Sequence, residues 1–340
     1  MMLVNGSARA GVSDPMNLAG SETEPRLDKP AVTNEEFAQP RLLTVTLSQL
    51  RDMQIAEREM VLSPILQAKG LAMLYAQRGV GKTFVALGIS YAVASGTAFL
   101  NWQAPRARPI LYVDGEMPAR AIQDRLRLIE AGAVQPLPTP DHFRILAMDL
   151  QAIGTGLNMA LPDHQQAVES QLGNAELLVL DNLSTLVEAG RENDAESWTS
   201  MQAWLLKLRR MGLAVLMVHH AGRSENARGT SKREDVLDTV IQLRRPDNYL
   251  ATEGARFEVR LTKARGFLGA DAAPFEAKLD VAGGKANWSV QHVIDNNAQQ
   301  VDAMSQTGMT VRSIAKTIGI SKSAASRLQQ KLRREGKQST

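Results

Sequence analysis

The run Ala76-Gln77-Arg78-Gly79-Val80-Gly81-Lys82-Thr83 constrains this chain more than any other eight residues. It follows the apolar run GLAMLYA and precedes the helix-forming run FVALGISYAVAS, so it sits where a strand hands over to a helix. The glycines let the backbone turn tightly and approach an anion closely. A helix starting at Gly81 aims its free N–H groups and positive dipole end at the same point. Lys82 adds a cation for β- and γ-phosphates, and Thr83 adds a hydroxyl for a metal ion. Gly79, Val80, Gly81, Lys82 and Thr83 are therefore the candidate phosphate-binding residues, with ATP and Mg2+ as the expected ligands.

From residue 70 to about 280, short β-rich runs alternate with amphipathic stretches. The strand candidates are GLAMLYA, PILYVDG, HFRILAM, AELLVLD, LAVLMVHH, TVIQLRR and RFEVRLTKA. MPARAIQDRLRLIEAG and DAESWTSMQAWLLKLRRMG read as helices, the second ending at Gly212. This alternation predicts an α/β fold with a mostly parallel sheet covered on both faces. With 340 residues and 44% hydrophobic content, there is ample material for its core. Residues 41–69 read as a lead-in helix and strand packed on that core, and DVAGGKANWSV as a closing hairpin turned at Gly-Gly. The expected domains are a disordered acidic segment over 1–40, a nucleotide-binding domain over 41–290 and a small all-α domain over 291–340.

Three strand ends carry the remaining chemistry. AELLVLDN ends in Asp181, placed to hold magnesium, although a strand-end aspartate is also a common helix cap. ILYVDGEMP ends in Asp114 and Glu116, two carboxylates expected on the same side. Glu116 is the candidate for orienting or deprotonating an attacking water; the plainer alternative is that it favours the start of the next helix. VLMVHHAGR carries His219 and His220, whose side chains point to opposite faces of a strand and so cannot share one metal ion.

On these motifs, residues 70–265 resemble the RecA-like ATPase superfamily, and within it the branch of RepA-type hexameric helicases of mobilisable plasmids. Ala76 at the first loop position, where many such loops have glycine, is a departure common among RecA-like proteins. The resemblance implies a RecA-like P-loop core that hydrolyses ATP in a homo-oligomer, a hexamer in that branch. It implies that Glu116 is the catalytic glutamate, that Asp181 of LVLD serves magnesium, and that His220 senses the γ-phosphate and reports to a DNA-binding loop. LTKARGFLG resembles a Lys-x-Arg-x-Gly element of replicative helicases, which makes Arg265, with Lys263 beside it, a candidate arginine finger for a neighbouring subunit's site. Arg228 in ARGTS competes, because the plasmid helicases have a similar Arg-Gly-Ser stretch. The resemblance implies that the loops after the Asp181 and His220 strands face the central channel of a ring or the axis of a filament. The first is acidic; the second offers Arg223, Arg228, Lys232 and Arg233 to single-stranded DNA.

The C-terminal run TVRSIAKTIGISKSAASRLQQKLRREG reads as a helix, a turn at Gly319-Ile320 and a second helix capped by Ser321. Ile314, Ala315, Ile318, Ala325 and Leu328 fall at the apolar positions of a helix-turn-helix. Lys322, Ser323, Ser326, Arg327 and Lys331 remain on the outer face for the phosphates and base edges of duplex DNA. A solvated basic helix or a packing hairpin is the plainer alternative. Residues 291–306 can supply the supporting first helix. The chain has no cysteine, which removes disulfides and cysteine-ligated zinc and suits a cytoplasmic setting. No apolar run approaches the roughly 18 residues of a membrane span. The expected function is that of a Mg-ATP-hydrolysing, DNA-binding, helicase-like ATPase in replication or maintenance of a plasmid, phage or integrated element, the element being inferred from the resemblance alone. The alternative is a non-motor DNA-binding regulator in which ATP switches assembly.

Overall fold

The structure, a computed structural model, describes residues 42–187, 195–222, 234–246, 248–293 and 296–336. The chain divides into two compact units, Met1–Ile55 and Ala56–Thr340. In the first, helix α1 (Leu47–Asp52) opens with a capping box. Thr46 Oγ1 accepts from the Gln49 N–H at 3.2 Å, and Gln49 Oε1 accepts from the Thr46 N–H at 2.8 Å. The expected lead-in is thus shared between the units, because the small hairpin of β1 (Met60–Leu62) and β2 (Leu66–Gln67) belongs to the second.

Each strand expected from the sequence forms. In chain order the second unit continues with β3 (Leu71–Ala76), α2 (Lys82–Ser95), the short hairpin β4 (Ala98–Phe99) and β5 (Trp102–Gln103), β6 (Ile110–Asp114), α3 (Ala119–Gly132) and β7 (Phe143–Ala147). Then come α4 (Pro162–Ser170), β8 (Leu177–Asp181), α5 (Leu183–Leu186), α6 (Ala195–Met211), β9 (Ala214–His220), β10 (Thr239–Arg244) and β11 (Arg256–Ala264). The hairpin expected over 280–290 is longer at both ends, pairing β12 (Phe275–Ala282) with β13 (Lys285–His292). Apolar Phe275 and Ala277 extend it, because both are buried against the core.

These strands make one nine-stranded sheet in the order β13-β12-β11-β10-β3-β9-β8-β6-β7. From β10 to β7 every pairing is parallel, while β11, β12 and β13 add on antiparallel. The two-residue period of β3 shows why both faces are covered. Ala72, Leu74 and Ala76 join α2 and Ile122 of α3 in one apolar cluster, whereas Leu71, Met73 and Tyr75 join Trp204 and Leu205 of α6 in the other. The fold is RecA-like α/β: a mostly parallel sheet, its first strand feeding a phosphate loop, with helices on both sides.

This topology brings the carboxyl ends of the parallel strands to one edge, where ligands of such sheets bind. Ala76 pairs with His220 on one side and Leu243 on the other, and Asp114 pairs with Asp181.

Three further helices, α7 (Asn296–Gln306), α8 (Val311–Ile318) and α9 (Lys322–Gly336), pack on one another around buried Val301, Ile314, Ala315 and Ala325. Thr310 caps α8, Gly319 ends it in the left-handed conformation, and Ser321 Oγ accepts from the Ala324 N–H at 3.1 Å to cap α9. Gln329 of α9 donates to Ser305 Oγ of α7 at 3.0 Å.

Candidate functional site

The loop between β3 and α2 turns at Gly79 and Gly81, whose φ values of 76° and 124° are closed to most other residues. At Gly81 a Cβ would also meet the Phe257 ring at 3.3 Å. Inside the turn, Lys82 Nζ donates to the Ala76 carbonyl at 3.1 Å and the Gln77 carbonyl at 3.0 Å. Burial pulls its pKa down to about 8, against the upward pull of Asp181 and Glu116. Both carboxylates therefore lie close to this ammonium.

Asp181 is buried at the end of β8. The Tyr112 hydroxyl donates to its Oδ2 at 2.6 Å, and the Thr83 side chain is also hydrogen-bonded to it. Burial raises the Asp181 pKa, while Tyr112, Thr83 and Lys82 pull it back. The fully buried Tyr112 phenol is held well above its ordinary pKa, first by burial and then by Asp181, and stays a donor.

Asp114 and Glu116 were expected on the same side, and the structure separates their jobs. Asp114 is buried beneath the turn, where Oδ1 accepts from the Glu116 N–H at 3.1 Å and the Met117 N–H at 2.7 Å. Burial pushes its pKa up to about 6, reinforced by Asp181. Glu116 projects outward, its side chain 47% exposed. Its Oε2 accepts from Asn182 Nδ2 and lies 3.7 Å from His220 Nε2. His219 and His220 are both buried, so neither is a surface histidine. Among the described residues no cluster of three histidine or carboxylate side chains forms a metal site.

Four residues of this neighbourhood escape a reading of the sequence. Gly115 seats the Glu116 turn on α5: a Cβ there would meet Thr185 Oγ1 at 2.7 Å and Leu186 Cδ2 at 2.8 Å. Asn182 holds Glu116, and Tyr112 holds Asp181, although in the sequence Tyr112 is one more core aromatic. Arg245, just past β10, donates to the Gly79 carbonyl at 3.3 Å and stacks 4.4 Å from the Tyr249 ring centre. Only Asn182 carried a local signal, since DNLS reads as a helix cap.

These residues fit a magnesium-bound nucleoside triphosphate. The glycine turn and helix start suit its phosphates, and Thr83 and Asp181 present the oxygen donors that a hard cation takes. A family model described as an AAA domain matches residues 36–226, more than half of the chain. The chain belongs to this AAA domain family. It is a P-loop ATPase. No curated protein matches the sequence. Among solved structures, a KaiC-like protein from the hyperthermophilic archaeon Pyrococcus horikoshii OT3 aligns at 14% identity and a TM-score of 0.44, over 67% of this chain and 93% of that one.

In this AAA domain protein, Lys82, Thr83, Asp181, Glu116 and His220 converge, but Lys263 and Arg265 do not join them. β11 runs antiparallel, so Ala264 pairs with Thr239, which pairs in turn with Ala72 at the opposite edge of the sheet from the loop. Four residues at about 3.3 Å each put Ala264 roughly 13 Å along the strand direction from the level of Ala76, and Arg265 lies one residue further on, where its N–H donates to the Asp238 carbonyl. Arg265 Nη2 donates to the Asp235 carbonyl at 3.1 Å, and Lys263 Nζ donates to the Glu234 carbonyl. Arg223, Arg228, Lys232 and Arg233 lie outside the described residues. On α9, Lys322, Ser323 and Arg327 are exposed and Ser326 is half-buried, while the Lys331 side chain is outside the described set. Among the described residues no helix is long and apolar enough to cross a membrane.

Proposed function

We propose that the chain hydrolyses Mg-ATP with Glu116 as the general base and couples this to work on DNA. The convergence of Glu116, His220, Asp181 and Lys82 at one edge of the sheet carries the reading. Lys82 and the loop N–H groups would bind the β- and γ-phosphates, and Thr83 and Asp181 would hold magnesium. Magnesium, when bound, supplies positive charge to the phosphate oxygens. Glu116 takes a proton from water as the water oxygen bonds to the γ-phosphorus and the bond to the β–γ bridging oxygen breaks, releasing ADP and phosphate. His220, 3.7 Å from Glu116, would sense the γ-phosphate, the role that the resemblance implies, and its nearness to Glu116 supports that reading.

Arg265 is too far along the sheet to serve its own loop, which favours action on a neighbouring subunit in a homo-oligomer, a hexamer by the resemblance to RepA-type helicases. Arg228 stays its competitor. The α8–turn–α9 pair is read as a helix-turn-helix for duplex DNA, supported by the two caps and the exposed Lys322, Ser323 and Arg327. Arg223, Lys232 and Arg233 would serve single strands. Together these give a helicase-like ATPase of a plasmid, phage or integrated element. The acidic Glu188, Glu192 and Asp194 after β8 favour a second reading, because carboxylates repel DNA phosphates: ATP would then switch assembly of a DNA-binding regulator.

The test compares Lys82→Ala with Glu116→Gln. Lys82→Ala is expected to lose nucleotide binding, and Glu116→Gln to keep binding while turnover falls at least about a hundredfold. Normal hydrolysis by Glu116→Gln would remove Glu116 from the mechanism. A strand-displacement assay beside the ATPase assay separates motor from switch.

A further inference from the structure

The geometry points to Asn182 as the positioning residue for Glu116: its buried amide holds Oε2 and thereby presents the other carboxylate oxygen, Oε1, to the attacking water. This deepens the proposed mechanism and rests on Glu116 being its base.

A half-exposed glutamate with no fixed partner spreads over several rotamers, and ordering it costs free energy at every turnover. Asn182 does not share that freedom, because it is 3% exposed and its side chain is engaged at both ends. Its Oδ1 accepts from the Ser184 N–H at 2.9 Å, capping α5, and its Nδ2 donates to Glu116 Oε2. The amide orientation follows from these partners. A backbone N–H can only donate, so the oxygen must face Ser184 and the nitrogen must face Glu116. The backbone beneath is equally constrained: the Gly115 N–H donates to the Asp181 carbonyl at 2.8 Å, and the Asn182 carbonyl accepts from Thr185 Oγ1 at 3.0 Å.

The chemistry suits the task. A lysine or arginine at this place would draw the proton off Glu116 and weaken it as a base, whereas an amide fixes the carboxylate without a formal charge. It engages one oxygen and leaves the second with its lone pairs. His220, 3.7 Å from the same Oε2, lies on the engaged oxygen as well.

Because Asn182 also caps α5, the variants must separate the two jobs. Asn182→Ser and Asn182→Asp both retain a capping oxygen, while serine lacks the reach and aspartate lacks the donor. Steady-state ATPase, binding of a fluorescent ATP analogue and thermal unfolding are measured for each, alone and combined with Glu116→Gln. Both single variants are expected to lose about ten- to a hundredfold in kcat, with KM and analogue affinity within about twofold of the parent. Combined with Glu116→Gln they are expected to add no further loss, since the base they position is already gone. If Glu116→Gln is inactive but Asn182→Ser turns over like the parent, the positioning role is overturned while the base assignment stands. A further loss on top of Glu116→Gln, or a fall in analogue affinity matching that in kcat, overturns it too, because Asn182 would then be shaping the nucleotide site itself. Full activity in Glu116→Gln alone marks failure of the mechanism on which the inference rests.

Discussion

Lys82 is a cation held where cations are costly. Its pKa of about 8 lies below the ordinary 10.5 chiefly because of burial. Bound phosphates favour the charged form and raise that pKa, so above pH 8 nucleotide binding must take up a proton. Affinity is therefore expected to fall as pH rises past about 8, with proton uptake visible as a buffer-dependent heat in calorimetry; a flat profile from pH 7 to 9.5 would falsify this. The same depression bears on folding. The penalty of burying the ammonium is full below about pH 8 and is relieved as pH rises toward 10.5, where the unfolded chain also sheds the proton. Asp114 leans the other way: with its pKa raised to about 6, chiefly by burial, its charge costs stability at neutral pH. Asp114→Asn keeps an oxygen for the Glu116 and Met117 N–H groups, so it is expected to raise Tm at pH 7.5 and to lose that advantage near pH 4.

At the scale of elements, the turn after β6 is a fitted part. Gly115→Ala drives a methyl group into Thr185 and Leu186 of α5, and about 1–3 kcal/mol of stability is expected to be lost in urea unfolding. Hydrolysis should fall more than nucleotide binding, because the displaced turn carries Glu116 and not the phosphate loop. The strand entry on the opposite side of the sheet offers a contrast of burial. Arg108 is 2% exposed and its guanidinium contacts Glu59, Glu176 and the Met60 carbonyl, whereas neighbouring Arg106 meets the same two carboxylates from a half-exposed position. Arg108→Ala leaves a void and unpaired acidic groups and is expected to cost about 3 kcal/mol, the low end for a buried pair because both glutamates are partly exposed. Arg106→Ala is expected to cost less than about 1 kcal/mol. Equal losses in the two unfolding curves would contradict this burial argument.

At the scale of the whole molecule, the two proposed partners, a neighbouring subunit and DNA, are read from different residues, Arg265 and the C-terminal helices. Arg265 lies at the far edge of the sheet from its own phosphate loop, so Arg265→Ala is expected to bind ATP and hydrolyse it slowly. Mixing it with Glu116→Gln subunits should restore part of the activity, since some interfaces then pair an intact loop with an intact arginine. Absence of rescue, with mixed oligomers verified, would exclude Arg265 as a shared finger, and the same mixture with Arg228→Ala tests its competitor. The C-terminal helices make the other prediction. Deleting residues 306–340 should remove most duplex-DNA affinity yet leave basal ATPase, because Lys82, Glu116 and Asp181 precede the cut. Duplex affinity of the full chain should fall steeply with salt as released counterions lose their advantage. Unchanged duplex binding by the truncated chain would make α8 and α9 a packing or subunit-contact element.

The sequence alone determined whatever depends on local order along the chain. The strand, glycine turn, Lys82 and helix of the phosphate loop are contiguous, so their chemistry is written in eight neighbouring letters. The six parallel strands, β3 and β6 to β10, announce themselves as apolar-rich runs, because strands of a parallel sheet covered on both faces are apolar at most positions. Gly319 and Ser321 likewise mark the turn between α8 and α9, because helix caps act within four residues. Tertiary structure decided what depends on which strands become neighbours. Only the pairing of β6 with β8 puts Tyr112 on Asp181 and Asn182 on Glu116, residues 69 and 66 positions apart. Only the antiparallel course of β11 leaves Arg265 at the end of the sheet away from its own phosphate loop, a placement that its motif, read for action on a neighbouring subunit, did not specify. Hydrogen bonds across a sheet depend on register, and register is a property of the packed molecule that no single strand spells out.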